Sequence, residues 1–104
     1  MHTVIETPLF QNLVSDYWGE EERGAFCAWL AANPDAGDVI PGSGGCRKVR
    51  WSRPGTGKRG GVRVIYFNRL ANGEIWLLTI YAKSARDNIA ARSLKALKEL
   101  LDED

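Results

Sequence analysis

Apolar and polar positions alternate along the chain in an order that predicts β-α-α-β-β-β-α. His2, Thr3, Val4, Ile5 and Glu6 form a short run with a β-branched middle, which predicts a first strand. Thr7 followed by Pro8 has the form of a helix N-cap with proline at the first helical position. Leu9, Phe10, Leu13, Val14, Tyr17 and Trp18 then recur at helical spacing, and Gly19 is the expected stop. A second helix is expected from about Glu20. Its first turn carries Glu20, Glu21 and Glu22, which complement the helix dipole. Arg23, Phe26 and Leu30 share one stripe with Cys27 beside it, and Asn33-Pro34 ends the helix because the residue before proline is pushed out of helical geometry.

Residues 34–45, rich in Pro and Gly, are expected to form an irregular connection. Residues 46–51 predict a strand with Lys48 and Arg50 on one face and Val49 and Trp51 on the other. A glycine-rich hairpin tip follows at 52–61. Residues 62–69 are a strongly apolar strand interrupted by Arg63. Ala71-Asn72-Gly73 is a hairpin turn in which Asn-Gly is expected to supply positive φ. Residues 74–83 are apolar nearly throughout, which predicts a central strand. Ser84 and Asp87 have capping-box spacing. The last helix should place Ala90, Leu94, Leu97 and Leu101 on one face and Lys95, Lys98 and Glu99 towards water. Three consecutive hairpin-linked strands imply an antiparallel sheet with helices packed on it, an α+β fold.

A chain of 104 residues, 44% hydrophobic and 26% charged, supports one modest core, so a single domain over 1–104 is expected. No apolar stretch is long enough to span a bilayer. The opening MHTVIETPLF lacks a basic segment followed by an apolar one, so secretion is not expected and a cytoplasmic location is. Cys27 and Cys46 are too few for a disulfide framework. With His2 as the one histidine, neither a conventional zinc site nor a bound cofactor is expected.

The net charge of +1 conceals a strong asymmetry. Residues 1–38 hold seven acids and one base, whereas residues 39–73 hold eight bases and no acid: Arg47, Lys48, Arg50, Arg53, Lys58, Arg59, Arg63 and Arg69. Such a block points to a polyanionic partner. The Pro54-to-Lys58 segment PGTGK does not qualify as a nucleotide-binding loop, because Ser52 stands at the first glycine position and Arg59 at the Ser/Thr position. Nucleophilic chemistry at serine or cysteine lacks the usual histidine base, and Cys27 beside an apolar stripe is better explained as buried. The basic strands are the stronger candidate. Arg63 sits within Val62, Val64, Ile65 and Tyr66, where an arginine is expensive to bury without a partner, so it either salt-bridges an acid from a helix or faces a cleft that receives an anion. Tyr81 and Lys83 fall on one strand face. Lys48, Arg50, Arg63, Tyr81 and Lys83 could therefore meet on one concave surface, with guanidinium forks for phosphate and a tyrosine for stacking on a base. Arg47, Arg53, Lys58 and Arg59 would add RNA-binding charge.

Three blocks in this order and spacing, GDVIPGSGGCRKVRW (37–51), GKRGGVRVIYF (57–67) and EIWLLTIYAKS (74–84), resemble the RelE/HigB superfamily of bacterial type II toxins, most closely in its HigB-type branch. The resemblance implies a small α+β domain and an mRNA endonuclease that acts on translating ribosomes. It implies restraint by a cognate antitoxin with a helix-turn-helix domain, through which alone operator DNA would be contacted; no membrane is involved. Lys48 matches the first of two family lysines, Arg50 replaces the second, and the family's phosphate-binding arginine falls on Arg63. The family's later arginine and tyrosine align, through Lys83, with Ser84 and approximately Ala90, so Tyr81 and Lys83 are the residues left to replace them. The implied reaction is metal-independent attack of an RNA 2′-hydroxyl on the adjacent phosphate. Lys48 is a candidate base, because flanking Arg47 and Arg50 favour a neutral amine, with a purely electrostatic role as the alternative. The alternatives are a ParE-like gyrase poison without enzymatic activity, since fold alone does not fix function, and a non-catalytic nucleic-acid-binding module.

Overall fold

A computed structural model describes residues 2–51, 61–82 and 91–102. Its elements are β1 (Thr3–Glu6), α1 (Pro8–Val14), α2 (Glu20–Ala32), β2 (Asp38–Val39), β3 (Arg47–Trp51), β4 (Val62–Arg69), β5 (Glu74–Ala82) and α3 (Ala91–Asp102), with a 3-10 turn at Leu70–Asn72. Thr7 caps α1 as its spacing predicts, its Oγ1 accepting from the Phe10 amide at 3.3 Å, with Pro8 at the first helical position. The same hydroxyl donates to the Leu77 carbonyl at 2.8 Å, so the cap also fastens α1 to β5. Gly19 departs from expectation. α1 has already ended at Val14, and Gly19 is the extended residue that opens α2.

The sheet runs β1-β5-β4-β3-β2. The expected α+β class and element order hold, with two features added to the antiparallel sheet. β1 lies parallel to β5, with Thr3 opposite Glu74. A fifth strand, β2, lies within the stretch expected to be irregular and pairs antiparallel with β3. A two-residue strand with both residues exposed has no apolar alternation to reveal it. The turn before β5 also differs. Gly73 alone takes positive φ, at 69°, after the 3-10 turn, while Asn72 does not.

The central strands β4 and β5 are covered on both faces, which explains their near-continuous apolar sequence. One face carries α1 and α2. There Phe10, Val14, Phe26 and Leu30 pack on Val49, Val62, Val64, Tyr66, Ile75, Leu77 and Ile80. The other carries α3, with Leu94 packed among Cys46, Ile65, Phe67, Leu78 and Tyr81. β5 shifts register between these sets. Ile65 opposes Thr79 and Tyr66 opposes Leu77, so Leu78 is an extra residue in β5. Strict alternation from Ile75 and Leu77 would place Tyr81 on the α1/α2 face. The bulge turns it to the α3 face and gives Ile80 to the first core.

Candidate nucleic-acid interface

Strand pairing assembles the cationic residues. Arg50 on β3 lies directly opposite Arg63 on β4, and Arg63 lies opposite Tyr81 on β5. Lys48, two residues before Arg50, projects to the same face and opposes Ile65. Val49 and Trp51 alternate to the other face and join the first core. Like charges directly opposed across a ladder repel and cost stability. The ladder therefore places two guanidinium groups side by side on the face that also carries Lys48.

Lys48, Arg50 and Arg63 line one open pocket of about 330 Å³ together with Asp38. Asp38 was not among the residues singled out in the sequence. β2 brings it in, directly opposite Lys48. Its sole sequence signal is position, as the last acid before the acid-free block. The segment that carries it is held from the α1/α2 face. The Tyr66 hydroxyl accepts from the Gly37 amide at 2.9 Å and donates to the Pro34 carbonyl at 2.9 Å. Asn68 Nδ2 donates to the same carbonyl at 2.9 Å.

The other expected residues are distributed differently. Arg47 opposes Tyr66 and so faces away from the pocket. It donates to the Gly37 carbonyl at 2.7 Å and lies 3.5 Å from the Asp35 carboxylate. Of the two cations that flank Lys48 in sequence, Arg50 shares its face and Arg47 does not. Tyr81 is 8% exposed, its ring enclosed with Leu94 and Ile65 in the second core. Tyr81 thus lies opposite Arg63 as a core residue and is not among the described residues that line the pocket. Arg69, from the same basic block, sits over the rings of Trp76 and Phe67 at 5.0 and 5.9 Å. Lys83, Arg53, Lys58 and Arg59, the PGTGK segment and the Ser84/Asp87 box lie outside the described residues.

Neither cysteine is poised for thiolate chemistry. Burial pushes the Cys27 thiol up to about 11 and raises that of Cys46. His2 sits against the Ala31 carbonyl at the far edge of the sheet from β2.

Residues 35–103, most of the chain, match the family described as the RelE toxin of the RelE/RelB toxin-antitoxin system. The chain belongs to the RelE toxin family. Solved structures agree on the fold. A free-state mutant of E. coli toxin RelE is similar with a TM-score of 0.63 at 12% identity, over 93% of this chain and 96% of that one. The intact E. coli RelBE toxin-antitoxin complex contains a chain similar at a TM-score of 0.57 and 12% identity, over 77% of this chain and 94% of that one. The RelE match begins at residue 35, just before β2, and takes in every strand that lines the pocket.

Proposed function

We propose that this RelE-family chain is an mRNA endonuclease that cuts on the translating ribosome in the cytoplasm, and that a cognate antitoxin restrains it. The observation that carries the reading is the opposed Arg50–Arg63 pair, joined by Lys48 in one pocket. Three cations converging on an open hollow suit a phosphodiester, whose charge grows as a 2′-oxygen attacks phosphorus. Arg63 and Arg50 would hold the non-bridging oxygens as planar forks. Preorganised donors of this kind act on charge as it develops and need no reorganisation at that moment. Guanidinium and ammonium groups supply the positive charge that a metal provides in other nucleases, so the reaction is proposed to run without one. The ribosome would contribute positioning, since a prearranged linkage removes much of the entropic barrier. The similarity to a chain of the RelBE complex supports an antitoxin partner. A helix-turn-helix in that partner, giving access to operator DNA, is part of the same proposal.

The test is expression in bacteria beside Arg63→Ala, with primer extension on cellular mRNA. Loss of one preorganised donor is expected to lower cleavage by about 10²–10³-fold. Equal growth arrest and equal cutting by both proteins would remove Arg63 from the mechanism. Growth arrest without cut mRNA, accompanied by inhibited DNA supercoiling, would replace the nuclease reading with gyrase poisoning.

A further inference from the structure

Transesterification at an RNA linkage needs an acceptor for the 2′-hydroxyl proton. Charged lysine and arginine are donors only, and arginine does not deprotonate in proteins. Among the described residues of the pocket lining, Asp38 is the one side chain that accepts without first giving up a proton. A carboxylate inside a phosphate-binding hollow weakens anion binding, so its presence there calls for a chemical use.

We propose that Asp38 takes the 2′-hydroxyl proton and that the Lys48 ammonium protonates the departing 5′ oxygen; this rests on the nuclease reading of the same pocket. The 2′-oxygen forms a bond to phosphorus as its proton passes to the Asp38 carboxylate. The bond from phosphorus to the 5′ oxygen breaks, and that oxygen takes a proton from Lys48. The products are a 2′,3′-cyclic phosphate and a 5′-hydroxyl. Asp38 is left protonated and Lys48 neutral. Because the two are cross-strand partners, one proton passing from Asp38 to Lys48 restores both.

The backbone is built to hold this pair. A Cβ on Gly37 would lie 2.9 Å from the Lys48 carbonyl oxygen and 3.0 Å from Tyr66 Cε1, so the chain crosses β3 at a distance that only glycine permits. Tyr66 holds the Gly37 amide and Arg47 the Gly37 carbonyl, which fixes the residue preceding Asp38 from both of its polar groups. Among the described residues, the charged groups that line the pocket with Asp38 are Lys48 and Arg50 from β3 and Arg63 from β4. Asp35, Arg47 and the Tyr66 hydroxyl lie on the opposite side of its segment. From α3, Lys95 and Lys98 run beside Gly44 in the loop after β2.

The experiment uses the full chain with mRNA on reconstituted translating ribosomes, measuring kcat, KM and the pH profile for wild type, Asp38→Asn, Asp38→Glu and Lys48→Ala. Asp38→Asn is expected to lower kcat by about 10²–10⁴-fold, the range of general acid-base catalysis, without raising KM, and to abolish the acid limb of the profile. Asp38→Glu should recover part of the rate. An mRNA carrying sulfur in place of the bridging 5′ oxygen has a leaving group that departs without a proton. It should rescue Lys48→Ala and leave Asp38→Asn slow. Asp38 is exposed, so Asp38→Asn should melt with the wild type; Asp38→Ser is read in the same way should it not. Wild-type cleavage with Asp38→Asn within about threefold of it would overturn the assignment and leave the nuclease reading standing. A wild-type protein that cuts nothing would overturn both.

Discussion

Tyr66 shows how one buried side chain can govern a site it does not touch. Its ring lies in the first core and its hydroxyl serves both Gly37 and Pro34. Tyr66→Phe leaves the Gly37 amide without its partner, while Asn68 still donates to the Pro34 carbonyl, and an unsatisfied buried group costs about 1–3 kcal/mol. Urea unfolding is expected to show a loss of that order, and cleavage should fall with it as the Asp38 segment loosens. Cys27 gives a pH prediction. Its thiol keeps its proton to about 11 in the folded protein, against an ordinary 9.0. The resulting stability is complete below pH 9 and is lost as pH rises towards 11, because the unfolded state releases the proton first. Burial also raises Tyr66 and Cys46, which add to the loss in the same direction. Melting temperature should therefore drop between pH 9 and 11, and Cys27→Ala should give a shallower slope. Arg23, which pairs with Glu6 through two hydrogen bonds, ties α2 to β1 at the opposite edge of the sheet from the pocket.

Among the elements, β2 contributes most for its size. It spans two residues, yet it sets Asp38 against Lys48 and extends the sheet beyond β3. Gly37→Ala places a Cβ against the Lys48 carbonyl, a backbone atom that cannot swing aside. The expected result is separation of β2 from β3, seen as faster amide exchange at Val39 and Lys48 with the α1/α2 core still protected. The β5 bulge has a comparable effect on direction, because it gives Tyr81 to the α3 face opposite Arg63. β3 is anchored from behind by Trp51, whose Nε1 donates to Glu22 of α2 at 2.9 Å and whose ring meets Phe26 edge-on at 5.2 Å. The strand that presents Lys48 and Arg50 is therefore braced by an aromatic cluster on its other face.

At the scale of the molecule, the basic block divides by strand face. Arg47 clamps the connection before β2, Arg69 covers two rings, and Lys48, Arg50 and Arg63 form the hollow. Among these described residues, the last set should register in nucleic-acid affinity. Binding to single-stranded RNA is expected to weaken with salt, and Lys48→Ala and Arg50→Ala should each lower the slope of log K against log salt by about 0.7. Arg69→Ala should leave the slope unchanged and lower stability instead. Titration by fluorescence anisotropy between low and moderate salt checks both. A slope change with Arg69→Ala equal to that of Arg50→Ala would mean that block charge, and not the hollow, governs binding.

Local rules sufficed for much of this protein. Thr7-Pro8 capped a helix where expected, alternation placed Lys48 and Arg50 on the face opposite to Val49 and Trp51, and the nearly continuous apolar run at 74–83 marked the buried strand seen at Glu74–Ala82. These are nearest-neighbour effects, set by dihedral preference and by which face must leave water. Pairing across distant parts of the chain was not legible. The parallel β1–β5 edge and Asp38 against Lys48 depend on register between segments far apart in sequence. A bulge at Leu78 leaves no mark in a strand that is apolar nearly throughout, because either face accepts the same residues. The sequence by itself determined which residues carry charge and which strands carry them. Tertiary structure decided which charges meet, since a shift of one residue in register sends a side chain to the opposite face of the sheet.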